Sequence, residues 1–173
     1  MLKAWEVLED CRLALEFLEE EQDLRRWRVH WAGAVALLRA VGHVLDKVDS
    51  RTHKEIAAFS KDAFGLWKSD APEHEIFRKF IKHERDSILK EYAFHTHPLK
   101  DVSIAMSYSL RPLDGSEDVI QTEVYPIGEN IYRPLVEGFR EGDDARDVYK
   151  EAIDWWEIEL NKIEAKAAKS SKA

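Results

Sequence analysis

The chain has 173 residues, of which 45% are hydrophobic and 35% are charged; this suits one folded domain with a well-solvated surface. Its seven glycines and five prolines are too few for a collagen-like or linker-rich protein. The single cysteine, Cys11, excludes an intrachain disulfide, and carboxylates spread through residues 1–20 argue against a secretory signal core. We therefore expect a cytoplasmic protein.

Charge is unevenly distributed along the chain. The net charge is −8, yet residues 24–100 carry 15 basic and 10 acidic side chains, a local charge of +5. General nucleic-acid binders present a basic surface, so the composition disfavours that class and leaves room only for a local basic patch. The longest uncharged run, residues 29–38, is too short to span a bilayer, and we expect no membrane partner.

Hydrophobic periodicity predicts two helices in the first 50 residues. Apolar residues recur at spacings of three and four between residues 5 and 18, and a break follows at residues 19–23. A second stripe has the pattern of a long helix packed against its neighbours: Trp27, Trp31, Ala34, Leu38, Val41, Leu45 and Val48. Arginines flank the two tryptophans, as on some nucleic-acid surfaces, but their place in the stripe favours the core.

Helix boundaries can also be read from the sequence. Asp49 and Ser50 are predicted to end the second helix, and Thr52 with Glu55 resembles a capping box that opens the third. Pro72 suits the first turn of a helix. We therefore expect a fourth helix from about residue 73 to residue 92.

The period changes from helical to alternating after residue 100. Apolar and small residues alternate over residues 102–110, which predicts a half-buried strand. Turn residues then predict a hairpin that spans about residues 102–125. Residues 129–142 are expected to be irregular, and a last helix is expected over about residues 143–168. The sequence thus predicts a single, mainly α domain, an antiparallel bundle of four to five helices with a β-hairpin inserted before the last helix.

An arginine lies among the apolar positions of the fourth helix. The predicted face contains residues spaced by four, four, three and four: Phe77, Ile81, Arg85, Ile88 and Tyr92. A buried charge is costly unless it is paired, and three explanations remain open. Arg85 pairs with a carboxylate, such as Asp46, Asp49 or one in the first helix; it lies at a subunit interface; or it binds an anion such as phosphate. Structural pairing ranks first.

The segment from Arg85 to Tyr92, RDSILKEY, resembles the signature helix of the HEPN superfamily. That signature has an arginine, a polar residue, three variable positions, a histidine, one variable position and a tyrosine. Arg85, Asp86 and Tyr92 match it, whereas Lys90 replaces the histidine. The resemblance implies a helical bundle of the toxin–antitoxin, defence or RNA-associated kind that forms a homodimer near these residues. It also implies RNA binding, metal-independent ribonuclease activity and no cofactor.

The lysine at the histidine position bears on the chemistry. RNA cleavage without a metal needs a group that moves a proton near neutral pH, and a histidine with pKa ~6.5 suits this better than a lysine with pKa ~10.4. Lys90 still offers a point charge for phosphate, and an earlier pair with the same spacing, Arg78 and His83, supplies a histidine. Candidate catalytic residues are Arg85, His83 and Tyr92; candidate phosphate-binding residues, for RNA or a nucleotide, are Arg78, Lys90 and Asp86.

Other residues leave further hypotheses open. A half-buried, hydrogen-bonded His43 is the simplest interpretation, but His43 and Asp46 are also placed to face the same cleft as Arg85. The strand over residues 102–110 has an edge open to a protein partner, which predicts a non-catalytic interaction module as the alternative function. His95 and His97 suggest a metal-dependent hydrolase, but a catalytic zinc site usually needs a third ligand, so no metal site is predicted.

Overall fold

A computed structural model of the chain describes residues 2–96, 102–113, 116–128 and 132–170. Within these ranges lie the helices α1 (Lys3–Glu20), α2 (Leu24–Val44), α3 (Lys54–Trp67), α4 (His83–Glu91) and α5 (Ala145–Ser170), and the strands β1 (Val102–Leu110) and β2 (Val119–Gly128). This mainly helical architecture, with a hairpin before the last helix, confirms the predicted fold class. None of the helices in the described ranges combines the length and apolar character needed to cross a membrane.

Two helices have irregular continuations. α2 runs on through a π-helical turn, Leu45–Asp49, and a short helical turn, Ser50–Thr52. α4 is preceded by a 3-10 turn, Pro72–His74, and a π-helical segment, Phe77–Lys82. π-helical turns are rare and occur frequently at functional sites, and the second of these leads directly into the predicted signature helix.

The core lies between α1, α2 and α5, with α3 packed against α5. Its largest fully buried side chains are the four indoles of Trp27, Trp31, Trp67 and Trp156. Trp27 and Trp31 stack with ring centroids 5.4 Å apart, as the apolar stripe of the second helix predicts. Burial of such large rings supplies much of the hydrophobic driving force for folding.

A buried carboxylate beyond the end of α2 caps the N-terminus of α1. Asp49 is buried, and its carboxylate accepts hydrogen bonds from the backbone N–H of Lys3 at 2.7 Å and of Ala4 at 3.0 Å. The predicted helix end at Asp49 and the predicted capping box at Thr52 are both wrong. The Thr52 hydroxyl instead donates back to the carbonyl of Val48 at 3.1 Å, a bond that lets Thr remain in a helical turn, and α3 begins after His53.

The β-hairpin pairs β1 and β2 antiparallel, with Ile104 opposite Tyr125 and Leu110 opposite Val119. The prediction of a half-buried strand is wrong, because the side chains of residues 103–110 are all exposed. The alternating pattern does place Ile104, Met106, Tyr108 and Leu110 on one face of β1. Cross-strand partners share a face, so Glu123 and Gln121 of β2 lie on that face as well. Nothing in the sequence, however, states whether another element covers that face.

Candidate functional site

α4 presents Glu84, rather than Arg85, to the core. Glu84 is only 3% exposed, whereas the Arg85 side chain is 31% exposed. Successive residues of a helix are rotated by about 100°, so Arg85 lies at the edge of the buried face, beside α2. The prediction that Arg85 occupies the centre of an apolar stripe is wrong because two polar residues, Glu84 and Ser87, are buried on that face.

Arg85, Asp86 and Lys90 form a hydrogen-bonded chain along α4. Arg85 Nη1 donates to Asp86 Oδ1 at 2.5 Å, and Lys90 Nζ donates to Asp86 Oδ2 at 3.0 Å. The hydrogen bond from Arg85, with support from Lys90, lowers the pKa of the Asp86 carboxyl. An ionised carboxylate has no donor for a phosphate, so Asp86 can orient the two cations but offers an anion no hydrogen bond of its own.

The carboxylates predicted to pair with Arg85 are engaged elsewhere. Asp46 forms an ion pair with Lys47 at 2.7 Å, and Asp49 caps α1. The acidic partner of Arg85 is its own neighbour in the chain. That bond uses one of the five N–H donors of a guanidinium, so it leaves Arg85 able to contact a second anion.

A second arginine, Arg39, lies across from Arg85 on α2. Its guanidinium stacks over the ring of Phe77, with the central carbon 5.5 Å from the ring centroid. Within the described ranges no carboxylate hydrogen-bonds to Arg39. Partial burial, followed by the positive charge of Arg85, lowers the pKa of Arg39; an arginine nevertheless stays protonated in a protein. The two like charges therefore repel each other, and the carboxylate of Asp86 acts on Arg39 in the opposite direction.

His43 follows Arg39 by one turn of α2 and faces the same cluster. Partial burial, and then the positive charges of Arg39 and Arg85, lower the pKa of its imidazole, while Asp46 acts in the opposite direction. His43 therefore lies within electrostatic range of Arg39, Arg85 and Asp46, and a cleft shared by these side chains stays a prediction. Because the ordinary pKa of histidine is ~6.5, His43 is neutral at pH 7 and offers a lone pair that accepts a proton.

Tyr92 and Arg28 lie at the other end of the same helix pair. Tyr92 ends α4 in a left-handed conformation with φ 54° and remains 68% exposed. The guanidinium of Arg28 lies 5.8 Å from the Tyr92 ring centroid. α2 and α4 thus run antiparallel, with Arg28 beside Tyr92 and Arg39 beside Arg85. We refer to this exposed boundary as the α2–α4 seam; it is formed by Arg28, Arg39, His43, Arg85 and Tyr92.

Two of the predicted site residues lie apart from the α2–α4 seam. Arg78 donates from Nη1 to the carbonyl oxygens of Ser69 and Ala71, the latter at 3.2 Å, and so fastens the turn after α3. His83 contacts His95 through their rings, whose centroids are 5.3 Å apart. His83 and Arg85 are two positions apart on α4 and therefore point about 200° apart.

Potential metal ligands meet where His83 lies. His83, Glu84 and His95 each place a ligand atom within 4.8 Å of the other two. The third ligand that the sequence hypothesis lacked for His95 is thus supplied by α4, while His97 lies outside the described residues. Sequence reasoning missed Glu84, although its spacing of seven from Phe77 and four from Phe80 places it on the buried face.

No protein-family model matches the chain, and no match was found among curated proteins or solved structures. Support for a function therefore comes from the geometry of the α2–α4 seam and from the chemistry of its residues.

Proposed function

We propose that the α2–α4 seam binds the phosphate groups of RNA, as the HEPN resemblance of the α4 segment implies. One observation supports this above all others: Arg39 and Arg85 are near enough for the charge of one to act on the other, and Arg39 is partly buried without a carboxylate hydrogen bond in the described ranges. Holding two guanidinium groups together is unfavourable unless an anion offsets their repulsion. Phosphate suits this role because its oxygens accept bidentate hydrogen bonds from the planar arginine fork.

The length and composition of the α2–α4 seam suit a single strand better than a lone phosphate. Arg28 and Arg39 are eleven residues apart on α2, a distance of about 16 Å along a helix. Tyr92 is exposed at one end and offers a ring on which a base can stack, while the arginines contact the backbone. Lys90 adds a further positive charge beside Arg85, through their shared partner Asp86.

His43 supplies the group that cleavage of the bound RNA requires. A neutral imidazole accepts the proton of a ribose 2′-hydroxyl, whose oxygen then attacks the adjacent phosphorus. The bond from phosphorus to the 5′-oxygen breaks, and that oxygen takes a proton from water, giving a cyclic phosphate and a 5′-hydroxyl. The protonated imidazole then returns its proton to the solvent. Arg39 and Arg85 would stabilise the negative charge that develops on the phosphate oxygens. In this proposal His43 on α2 replaces the signature histidine whose place Lys90 takes.

Binding is tested with a fluorescently labelled single-stranded RNA and anisotropy at low salt. We expect Arg39→Ala and Arg85→Ala each to weaken binding about tenfold, since a charge-assisted hydrogen bond contributes about 1.5 kcal/mol. Arg12→Ala is the matched control, because Arg12 pairs with Glu9 and with Glu157 on α5 and lies outside the α2–α4 seam. Equal affinities for all three variants and the native protein would exclude the seam as the RNA site.

Cleavage is tested separately, with the same RNA in the presence of a chelator. We expect His43→Ala to abolish cleavage while leaving RNA affinity within about twofold, because the imidazole is neutral and contributes little to phosphate binding. Lys90→His restores the signature histidine and is expected to increase the rate. Binding without cleavage in any of these proteins would identify the chain as an RNA-binding protein rather than a nuclease.

A second candidate function, a protein-interaction module, is favoured by the hairpin. On one face of β1 every second residue is apolar and between 39% and 56% exposed: Ile104, Met106, Tyr108 and Leu110. A row of exposed apolar side chains of this kind suits a partner protein, including the second subunit of a homodimer. Light scattering measures the mass in solution, and a double variant, Ile104→Ser with Met106→Ser, should be monomeric if this face forms the dimer. An unchanged mass would remove the hairpin from the interface.

A further inference from the structure

The cluster of His83, Glu84 and His95 lies on a different side of α4 from Arg85. Glu84 Oε2 is 2.8 Å from His95 Nδ1, and the three ligand atoms lie within 4.8 Å of one another. A zinc ion bound to nitrogen and oxygen ligands at about 2.0–2.2 Å separates those ligand atoms by roughly 3 Å. Side-chain shifts of the order of an ångström would therefore place all three atoms around a single ion.

The surrounding contacts leave one inward-facing atom on the carboxylate and one on the histidine. Glu84 Oε1 accepts hydrogen bonds from Trp31 Nε1 at 3.0 Å and from the backbone N–H of His95 at 3.3 Å, so Oε2 is the remaining oxygen. Glu137 Oε1 lies 3.0 Å from His95 Nε2. If a metal ion takes the place of a proton between Nδ1 and Oε2, a hydrogen bond from Nε2 to this carboxylate holds the tautomer with a lone pair on Nδ1, as is usual for metal-binding histidines.

We infer that His83, Glu84 Oε2 and His95 Nδ1 bind one divalent transition-metal ion, with water completing the coordination. Two imidazoles and one carboxylate with an open position form the donor set of many zinc and iron sites, whereas Mg²⁺ and Ca²⁺ prefer oxygen alone. His83 is exposed and gives the ion a route from solvent, while buried Glu84 gains a cationic partner. The site does not depend on RNA binding at the α2–α4 seam.

The bound ion would link the segment around His95, which follows α4, to α4 itself. His95 lies between the end of α4 and β1, and its backbone also accepts a hydrogen bond, from the N–H of Val136 to the His95 carbonyl at 2.8 Å. A metal that joins His95 to two residues of α4 therefore fixes the chain where it leaves the bundle for the hairpin. We expect bound metal to raise the melting temperature of the protein, since the ion binds only the folded arrangement.

The test titrates Zn²⁺ into untagged, metal-free protein by calorimetry. We expect one Zn²⁺ per chain, with an affinity that falls at least tenfold in His83→Ala and in His95→Ala and is unaffected by excess Mg²⁺. His53→Ala is the matched control, because His53 is an exposed histidine that precedes α3. His83→Ala removes an exposed side chain, so circular dichroism should show an unchanged fold.

A second measurement, by NMR, detects metal at this site without relying on a binding constant. Trp31 Nε1 donates to the same carboxylate, so one indole N–H resonance should move when Zn²⁺ is added and should not move in His83→Ala. Absence of Zn²⁺ binding, or equal binding by the native protein, His83→Ala and His95→Ala, would overturn the inference. The Glu84–His95 contact would then be a hydrogen bond with a proton where we place the ion.

Discussion

The substitution Asp86→Asn provides a sharp test of phosphate binding at the α2–α4 seam. Asp86 accepts hydrogen bonds from Arg85 at 2.5 Å and Lys90 at 3.0 Å, so its negative charge competes with any anion for the same two cations. Asparagine keeps an oxygen that accepts a hydrogen bond but removes the charge. If the α2–α4 seam binds phosphate, this variant should bind RNA more tightly than the native protein.

The size of the effect follows from Coulomb's law. A phosphate that contacts the far side of the Arg85 guanidinium lies about 6 Å from the Asp86 carboxylate, and their repulsion is about 0.7 kcal/mol in bulk water or about 2.8 kcal/mol at an effective dielectric constant of ~20. The Asp86 side chain is 24% exposed, which places it between these limits. We therefore expect a gain of about 1 kcal/mol, or roughly fivefold in affinity.

The assay is RNA anisotropy at low salt, with Asp154→Asn as the control. Asp154 also pairs with a lysine four residues away, Lys150 at 2.8 Å, so the control makes the same charge change on α5. A general effect of net charge would increase the affinity of both variants equally. If Asp86→Asn binds RNA no more tightly than Asp154→Asn, the argument that Arg85 is available to an anion fails.

Three further predictions follow from hydrogen bonding and burial. Asp49→Ala leaves two N–H groups at the start of α1 without their acceptor and should lower the free energy of unfolding by about 2 kcal/mol; a loss below about 0.5 kcal/mol in urea denaturation would contradict this. Arg39→Ala should raise the pKa of His43, which NMR titration measures. The variant should also lose less folding stability on acidification, since less work is then needed to protonate His43 in the folded state. An unchanged His43 titration would be inconsistent with the proposed proximity of Arg39 and His43. Burial raises the pKa of the Cys11 thiol to about 12, so a thiol reagent at pH 8 should label Cys11 only as fast as the protein unfolds, and rapid labelling of native protein would show that the thiol is accessible.

The sequence predicts the elements of this fold well because their hydrophobic periods are strong. The stripe that contains Trp27 and Trp31 specifies α2, and the alternating residues of β1 specify a strand. Exposure is harder to predict, since the apolar residues of β1 would show the same alternation if a helix covered them.

The candidate site could be predicted only in part. The resemblance identifies Arg85, Asp86 and Lys90 as neighbours on one helix. The spacing of Glu84 from the buried Phe77 and Phe80 would have placed it on the adjacent buried face, but a carboxylate there was not recognised as part of the apolar pattern. Arg39 was missed because it lies on a different helix and carries no local signal beyond its spacing of four from His43. A site assembled from two helices becomes visible only when their antiparallel packing is known.

The most direct test of RNA binding at the α2–α4 seam is the salt dependence of affinity for single-stranded RNA. Each phosphate that a cation neutralises contributes about 0.7 to the slope of log affinity against log salt concentration for a single strand. Arg39→Ala combined with Arg85→Ala should therefore reduce the slope by about 1.4 relative to the native protein. A slope that does not change would show that these two arginines do not contact phosphate.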